Sequence, residues 1–171
     1  MNLQEAIATA IDYEVKVRDH YAQSASLIED PKGKALFQLL SREEQGHVAY
    51  LGHCLAQWRE AGKVSSAPVT SLLPQGLAWI DQARQRLQER PGKRVASGTE
   101  IEAVRLALQY EREASGFYRT LVSTLPQGER EMFTTFLTIE DGHVALVQAQ
   151  LDAVEGLGFW FDAMEFSLEA G

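Results

Sequence analysis

Apolar residues recur at every third or fourth position in four long stretches of the chain, which is the spacing of one buried face on an α-helix. The stretches cover about residues 2–29, 31–61, 99–125 and 127–155. Helix-breaking residues separate them: Asp30-Pro31, Gly62, Leu125-Pro126 and Gly156. The pattern predicts four long amphipathic helices, paired by short turns into two hairpins.

The segment between the hairpins differs in composition from the four helical stretches. Residues 63–98 are broken by proline, glycine and serine, with one short amphipathic helix predicted between Gly76 and Arg90. Thr99 and Glu102 form a candidate capping box that opens the third long helix. A loop of this length is unnecessary between adjacent helix ends. It suits a crossover that runs the length of a four-helix bundle.

The sequence therefore predicts an all-α protein with one domain. Residues 1–156 are expected to form a four-helix bundle of two helical hairpins joined by the long crossover at about 63–98. Residues 157–171 contain Phe159, Trp160, Phe161 and Phe166. This aromatic tail is expected to pack on the bundle or to form a subunit contact.

A chemical pattern occurs once in each hairpin. Glu14 in the first helix is followed in the second by Glu44-x-x-His47, and Glu111 in the third is followed in the fourth by Glu140-x-x-His143. Neighbouring residues repeat as well, since Tyr13-Glu14 matches Tyr110-Glu111 and Tyr21 matches Tyr118. Two hairpins related by an internal duplication is the simplest interpretation.

Helix geometry predicts that these side chains meet. At about 1.5 Å per residue, Glu14 and Glu44 both stand roughly 20–24 Å from the turn that joins their helices, and Glu111 and Glu140 are level in the same way. A glutamate and a histidine three residues apart share a helix face. Each of the six side chains also falls within an apolar stripe. The sequence thus predicts one cluster at mid-height, made by residues from all four helices.

Four carboxylates in a protein core cannot all stay ionised without compensation. Two divalent metal ions would neutralise them. A mixture of carboxylate and imidazole suits iron or manganese better than calcium or copper, and zinc is a further possibility. A single Glu-x-x-His is usually a surface pair, whereas two copies with matching upstream glutamates favour a metal site. We therefore predict a site for two metal ions.

Composition narrows the function classes. The chain has 171 residues, a formal net charge of −8 and no basic tract, which argues against nucleic acid and membrane surfaces as partners. Cys54 is the single cysteine, which excludes an intrachain disulfide or a cysteine-based metal site. No stretch reads as a secretion signal or a membrane span. A soluble, cytoplasmic protein is expected.

These residues resemble the ferritin-like di-iron carboxylate proteins, in which two helices each give one glutamate and two each give Glu-x-x-His. The paired hairpins and the Tyr-Glu pairs are most similar to rubrerythrin-like proteins. The resemblance implies two irons, with Glu14 and Glu111 as terminal ligands, Glu44 and Glu140 as bridging ligands, and one histidine on each iron. It also implies that Tyr21 and Tyr118 hydrogen-bond to the ligand carboxylates.

The chain departs from the rubrerythrin pattern at two points. Rubrerythrins usually carry a rubredoxin domain with four cysteines, whereas this chain has only Cys54, so an external electron donor protein is expected. Many also carry an extra glutamate one turn after the third-helix ligand, where this chain has Ala114. The six-ligand set that remains resembles a bacterioferritin ferroxidase site, so the resemblance does not decide between peroxidase and ferroxidase chemistry.

Three functions follow from the sequence. The first is a di-iron oxidoreductase that reduces peroxide or O2 while Fe(II) is oxidised. The second is iron storage or iron handling, and the third is a non-catalytic helical interaction module. A homo-oligomer is expected, with a dimer favoured over a cage.

Several residues near the predicted site are expected to have ordinary roles. His20 and His53 are expected at the surface, and Cys54 in the core. Glu43 and Asp141 are expected either to be solvated or to contact the ligand side chains without binding metal themselves. Gly46 and Gly142 precede the two histidines, which indicates close helix approach or access to the metals.

Overall fold

The protein consists of helices joined by short turns and one long connection. The computed structural model describes the backbone of residues 1–169 and the side chains of residues 1–166, and these residues contain no strand. The helices in chain order are α1 Leu3–Leu27, α2 Pro31–Ala61, α3 Ala78–Glu89, α4 Gly98–Thr124, α5 Gln127–Gly156 and α6 Ala163–Glu169. The predicted all-α class, the four long helices and the short helix in the connection are confirmed.

Side chains near each helix start explain where the long helices begin. Asn2 caps α1 and Asp30 caps α2, where Pro31 occupies the first turn. The predicted capping box of Thr99 and Glu102 is wrong. Ser97 accepts from the backbone N–H of Glu100, and the Glu100 carboxylate accepts from the backbone N–H of Ser97.

The reason for that shift is the ion pairing of Glu100. Nη2 of Arg94 donates to both carboxylate oxygens of Glu100 at 3.0 Å, and the backbone N–H of Asp30 donates to Oε1 at 3.3 Å. Both Ser97 and Thr99 satisfy the same capping pattern in the sequence. The buried Glu100 has partners from two other parts of the chain, and these select the earlier start.

The long helices pack in pairs, α1 with α2 and α4 with α5, and α1 also packs on α4. Their apolar faces form two separate cores. One contains Val17, Leu40, Leu108 and Leu146, and the other contains Ala10, Leu51, Tyr118 and Phe136. On every long helix, the predicted ligands lie between a residue of one core and a residue of the other. The polar cluster is therefore a layer between two hydrophobic layers.

Helix α3 and the aromatic tail pack on the first core, whereas Val69, earlier in the connection, belongs to the second. Helix α3 packs on α5, and α6 packs on α2. Trp160 is buried with its ring perpendicular to that of Phe37 at 5.5 Å, and Phe166 packs on Trp79 at 4.7 Å. The aromatic tail thus contacts the bundle as far as residue 166, and residues 170 and 171 lie outside the described residues.

Within the described part of the chain, no helix combines the length and the hydrophobicity that crossing a bilayer requires.

Candidate metal centre

Each long helix contributes buried polar side chains to one cluster at mid-height. Helix α1 contributes Glu14, α2 Glu44 and His47, α4 Glu111, and α5 Glu140 and His143. All six are buried, with exposures of 0 or 1%. The structure therefore brings all six predicted ligands together.

The six side chains form two overlapping groups that could each hold a metal ion. One group is Glu14, Glu44, His47 and Glu140, and the other is Glu44, Glu111, Glu140 and His143. Within each group, one nitrogen or oxygen atom per residue lies within 4.8 Å of the others. Glu44 and Glu140 belong to both groups, so the two candidate positions are adjacent.

Around His47, the ring atom that faces the cluster is Nδ1. It lies 2.8 Å from Oε2 of Glu44 and 3.3 Å from Oε2 of Glu14. Oε1 of Glu140 lies 3.5 Å away. Three carboxylates from three helices therefore surround one imidazole nitrogen.

Around His143 the arrangement is repeated with the other glutamate. Its Nδ1 lies 3.0 Å from Oε1 of Glu44 and 3.6 Å from Oε2 of Glu111. Oε2 of Glu140 lies 3.6 Å away. Glu44 and Glu140 each present one oxygen to each histidine, whereas Glu111 faces only His143.

Glu14 and Glu111, which each belong to one metal group and are called the outer glutamates below, each accept a hydrogen bond from a tyrosine of the opposite hairpin. The hydroxyl of Tyr21 on α1 donates to Oε1 of Glu111 on α4, and the hydroxyl of Tyr118 on α4 donates to Oε1 of Glu14 on α1. Both tyrosines are fully buried. Each carboxylate keeps its Oε2 turned toward a histidine, so the tyrosines orient the outer glutamates.

Burial and mutual repulsion shift the acidity of the outer glutamates. Burial raises the pKa of Glu14 well above its usual value, and the charges of Glu140 and Glu44 raise it further. Burial likewise raises the pKa of Glu111 from 4.5 to about 8, against the opposing charge of His143. Without metal, the carboxyl group of Glu111 therefore favours its protonated form at neutral pH.

The pKa values of Glu44 and of the two histidines shift in opposite directions. Burial alone would raise the pKa of Glu44, but the charges of His143 and His47 outweigh it and hold that pKa well below its usual value. Burial alone would lower the pKa of each histidine, but Glu44 and the neighbouring glutamates raise both well above the usual value. The metal-free cluster thus balances its carboxylates with imidazolium charge.

Several buried polar atoms of this cluster have no hydrogen-bond partner. The buried polar atoms without a hydrogen-bond partner include Glu44 Oε1, Glu111 Oε2, His143 Nδ1 and both carboxylate oxygens of Glu140. The 3.0 Å contact between His143 Nδ1 and Glu44 Oε1 therefore lacks hydrogen-bond geometry. Buried polar atoms are normally paired, and here the unpaired ones converge. Four carboxylates and two imidazoles match the donors that iron, manganese and zinc accept.

Glu43 is a buried residue whose position the sequence did not specify. Its exposure is 2%, and it belongs to neither metal group. Oε2 accepts from the backbone N–H of Leu72 at 2.7 Å, and Oε1 accepts from the hydroxyl of Ser71. Oε1 also faces the outer nitrogens of both ligand histidines. Of the two predicted environments, solvated or in contact with the ligand side chains, the second is the one observed.

His20 is half-buried, so the expectation of a surface histidine is wrong. Its Nε2 lies 2.9 Å from the backbone carbonyl oxygen of Ala103, and its ring packs edge-on against Tyr110. Burial lowers its pKa. His53 is exposed and Cys54 is buried, as predicted.

The remaining neighbours of the ligands lie on the outside of the cluster. Asp141 accepts from Ser115 at 2.6 Å and pairs with Arg119 at 2.8 Å. A Cβ atom added at Gly46 or Gly142 would meet no atom within 4 Å, so the expectation of close helix approach at these glycines is wrong. Gly142 instead borders open space beside His143.

That space is a cleft of about 690 Å³ between the long connection and α5. Its walls include Val69, Ser71, Trp79, Thr138, Gly142 and His143. Gly46, which has the equivalent position in the first hairpin, does not line it. The cluster is thus approached by solvent-accessible space on the side of His143.

No protein-family model, no curated protein and no solved structure matches the chain significantly.

Proposed function

We propose that this chain is a ferritin-like di-iron carboxylate protein that binds two iron ions between its two helical hairpins. The observation that carries the proposal is the sharing of Glu44 and Glu140 by two four-residue groups. Glu14 and Glu111 would then be terminal ligands and the shared glutamates bridging ligands. His47 and His143 would each give Nδ1 to one metal.

Charge supports two metals over one. Four ionised carboxylates carry four negative charges, which two divalent ions neutralise within the buried site. A single divalent ion would neutralise only two of them, so the other two would have to be protonated or balanced by imidazolium, as in the metal-free cluster. Iron is the preferred occupant because carboxylate and imidazole ligands suit it and because it can change oxidation state; manganese and zinc fit the same donors.

The reaction that we propose is the reduction of peroxide or O2 coupled to the oxidation of Fe(II). If the site held two Fe(II) ions, they would supply two electrons, which with two protons convert one hydrogen peroxide to two waters or one O2 to hydrogen peroxide. The protein contributes the positions of the ligands and a site largely closed to water. Glu44 and Glu140 would each contribute to both metal positions, since each reaches both histidines.

The surrounding side chains support this chemistry by restricting movement. Tyr21 and Tyr118 leave only one oxygen of each outer glutamate free to face the cluster. Phe136 packs edge-on against the His47 ring at 5.3 Å. Hydrophobic cores lie on both sides of the polar layer. These contacts favour a rigid ligand set with little water.

Rubrerythrin-like proteins are the subgroup that the chain resembles most, but two features qualify the likeness. Ala114 is fully buried where many rubrerythrins place a further carboxylate ligand. Cys54 is the single cysteine, so the four-cysteine iron site of a rubredoxin domain is missing from this sequence. We propose that an external electron donor protein returns electrons to the site, and that the chain forms a homodimer.

The test is rapid mixing of the anaerobically Fe(II)-loaded protein with peroxide or with O2, followed by absorbance. We expect oxidation of two Fe(II) per chain, faster than that of free Fe(II) at the same concentration. Glu140→Ala should remove this acceleration, whereas Asp141→Asn, one residue away and outside the cluster, should retain it. Oxidation no faster than in buffer would contradict the proposal, and uptake far beyond two irons per chain would indicate storage instead.

A further inference from the structure

The outer faces of the two ligand histidines meet at one carboxylate. Oε1 of Glu43 lies 3.7 Å from Nε2 of His47 and 3.5 Å from Nε2 of His143. The two imidazole rings are nearly parallel, with an interplanar angle of 10° and a centroid separation of 5.7 Å. Because both rings turn Nδ1 toward the cluster, both Nε2 atoms point away from it and toward the same oxygen.

A histidine that binds metal through Nδ1 carries its proton on Nε2, and that N–H needs an acceptor in a buried site. Neither Nε2 atom has a hydrogen-bond partner at its present separation. The contacts to Glu43 are only slightly longer than an N–H···O hydrogen bond. Among the described residues, Glu43 gives the one ion-pair contact made by either Nε2.

The internal duplication does not provide a second carboxylate for this purpose. Glu44 corresponds to Glu140, so the residue that corresponds to Glu43 is Ile139. Ile139 has no group that accepts a hydrogen bond from a ring N–H. The second histidine therefore depends on the carboxylate of the first hairpin.

The long connection fixes Glu43 in place. The backbone N–H of Leu72 donates to its Oε2, and the hydroxyl of Ser71 donates to its Oε1. Ser71 is itself held, because its Oγ accepts from the backbone N–H of Leu73 at 3.1 Å. Glu43 on α2 is thus oriented by three consecutive residues of the long connection, 71–73.

We propose that Glu43 is a positioning residue for both metal-binding histidines at once, and that Ser71 and Leu72 hold it in that role. This inference rests on the proposed metal centre but not on its redox chemistry. It assigns a specific task to the long connection, which is to set the orientation of the histidines from outside the helix pairs.

The experiment uses zinc, which is redox-inactive, and the full chain labelled with ¹⁵N at histidine. Ring-nitrogen NMR spectra identify which nitrogen binds metal and how fast each Nε2 proton exchanges with water. In the parent we expect zinc on Nδ1 and a slowly exchanging Nε2 proton for both His47 and His143. In Glu43→Gln both protons should exchange roughly tenfold faster or more, since each loses a charged acceptor.

Zinc affinity gives a second readout. Glu43→Gln should weaken binding about 10–100-fold, the usual effect of removing an outer partner of a ligand histidine. Ser71→Ala, which leaves the carboxylate but removes one of its anchors, should shift both histidine signals in the same direction by less. Asp141→Asn is the matched control, because it makes the same kind of change beside Glu140 at an exposed ion pair.

Three results would overturn the role of Glu43: unchanged histidine signals in Glu43→Gln, a change in only one histidine, or an equal change in Asp141→Asn. A parent protein that binds fewer than two zinc ions would overturn the metal centre itself, and the inference with it. Slow oxidation of the iron-loaded parent would contradict the proposed reaction but leave the role of Glu43 standing.

Discussion

Tyr118 on the second hairpin donates its hydroxyl hydrogen to Glu14 on the first. This bond joins the hairpins at the level of the cluster, where one oxygen of Glu14 is occupied and the other faces His47. The reciprocal bond runs from Tyr21 to Glu111. Each outer glutamate is therefore oriented by a helix of the opposite hairpin.

Removing this hydroxyl should weaken one metal position selectively. Tyr118→Phe removes a buried hydrogen bond to a carboxyl group, at a cost of about 1.5–3 kcal/mol in unfolding free energy if that group is charged. We expect a 10–100-fold loss of zinc affinity at the position beside His47. Zinc titration followed through the ring-nitrogen signals of both histidines measures this.

The equivalent substitution at the other tyrosine is the control for selectivity between the two metal positions. Tyr21→Phe should weaken the position beside His143 and spare the one beside His47. Tyr50→Phe, which changes a half-buried tyrosine outside the cluster, should affect neither. Equal effects of Tyr118→Phe on both positions would contradict the pairing.

Substituting a glutamate that belongs to one metal group should remove one bound metal ion, whereas substituting a glutamate that belongs to both groups should remove two. Glu14→Gln changes a residue of one group, so one metal per chain should remain bound. Glu44→Ala changes a residue of both groups, so both should be lost. Metal analysis after gel filtration measures the count.

The same variant tests the non-catalytic alternative. In a bundle that binds no metal, Glu44→Ala would change the stability by the same amount whether or not iron is present, because iron would stabilise neither protein. In a bundle that binds two metals, the variant loses the stabilisation that metal gives to the parent. Calorimetric melting of both proteins with and without Fe(II) separates the two cases.

Close packing makes Gly33 intolerant of a larger residue. A Cβ atom there would lie 2.5 Å from two ring atoms of Trp160 and 2.9 Å from Cγ2 of Ile28. We expect Gly33→Ala to lower the unfolding free energy by about 1–3 kcal/mol. Urea denaturation of the metal-free protein measures this, and the effect would confirm that the tail docks where Trp160 meets α2.

Gly46→Ala is the matched control, since it is also inside α2 and has no atom within 4 Å of an added Cβ. It should raise stability by about 0.5–1 kcal/mol, because alanine favours a helix over glycine. A loss of stability in Gly46→Ala comparable to that in Gly33→Ala would show that the clash with Trp160 is not the cause.

The metal-free protein should become less stable as the pH rises. Burial raises the pKa of Glu111 from 4.5 to about 8, so the folded state binds this proton more tightly than the unfolded chain. The resulting stabilisation is complete below pH 4.5 and is lost as the pH rises through about 8. The raised pKa values of Glu14 and His47 act in the same direction.

Urea denaturation in the presence of a chelator, between about pH 5 and pH 8, tests this dependence. Glu111→Gln, which mimics the protonated acid, should flatten the curve. The metal-loaded parent should show the opposite trend, because metal binding requires deprotonated ligands and strengthens as the pH rises. A metal-free protein that gains stability across this range would contradict the charge assignment.

The sequence is sufficient to predict the long helices and the membership of the cluster. Apolar spacing marks the helices, and the duplicated Glu-x-x-His pattern with an upstream glutamate marks residues at equal height. Such patterns describe single helices and their pairing through short turns. They predict a contact when both residues lie on the buried faces of long helices, at the same distance from the turn that joins those helices.

Features that depend on the long connection are not predictable in this way. The role of Glu43 depends on where Ser71 and Leu72 pass, and no periodicity fixes the path of an irregular segment. The burial of His20 escapes prediction because its partner is a backbone carbonyl, that of Ala103, which leaves no signal in the sequence. The start of α4 escapes it because Arg94, outside the motif, decides between two equivalent capping patterns.

The most direct test of the di-iron centre is the number of Fe(II) ions bound per chain under anaerobic conditions. We expect two ions per chain in the parent and none bound tightly in Glu44→Ala, with a higher melting temperature in the loaded parent than in the chelated protein. A stoichiometry well below two in the parent, with no change in melting temperature, would contradict the di-iron centre.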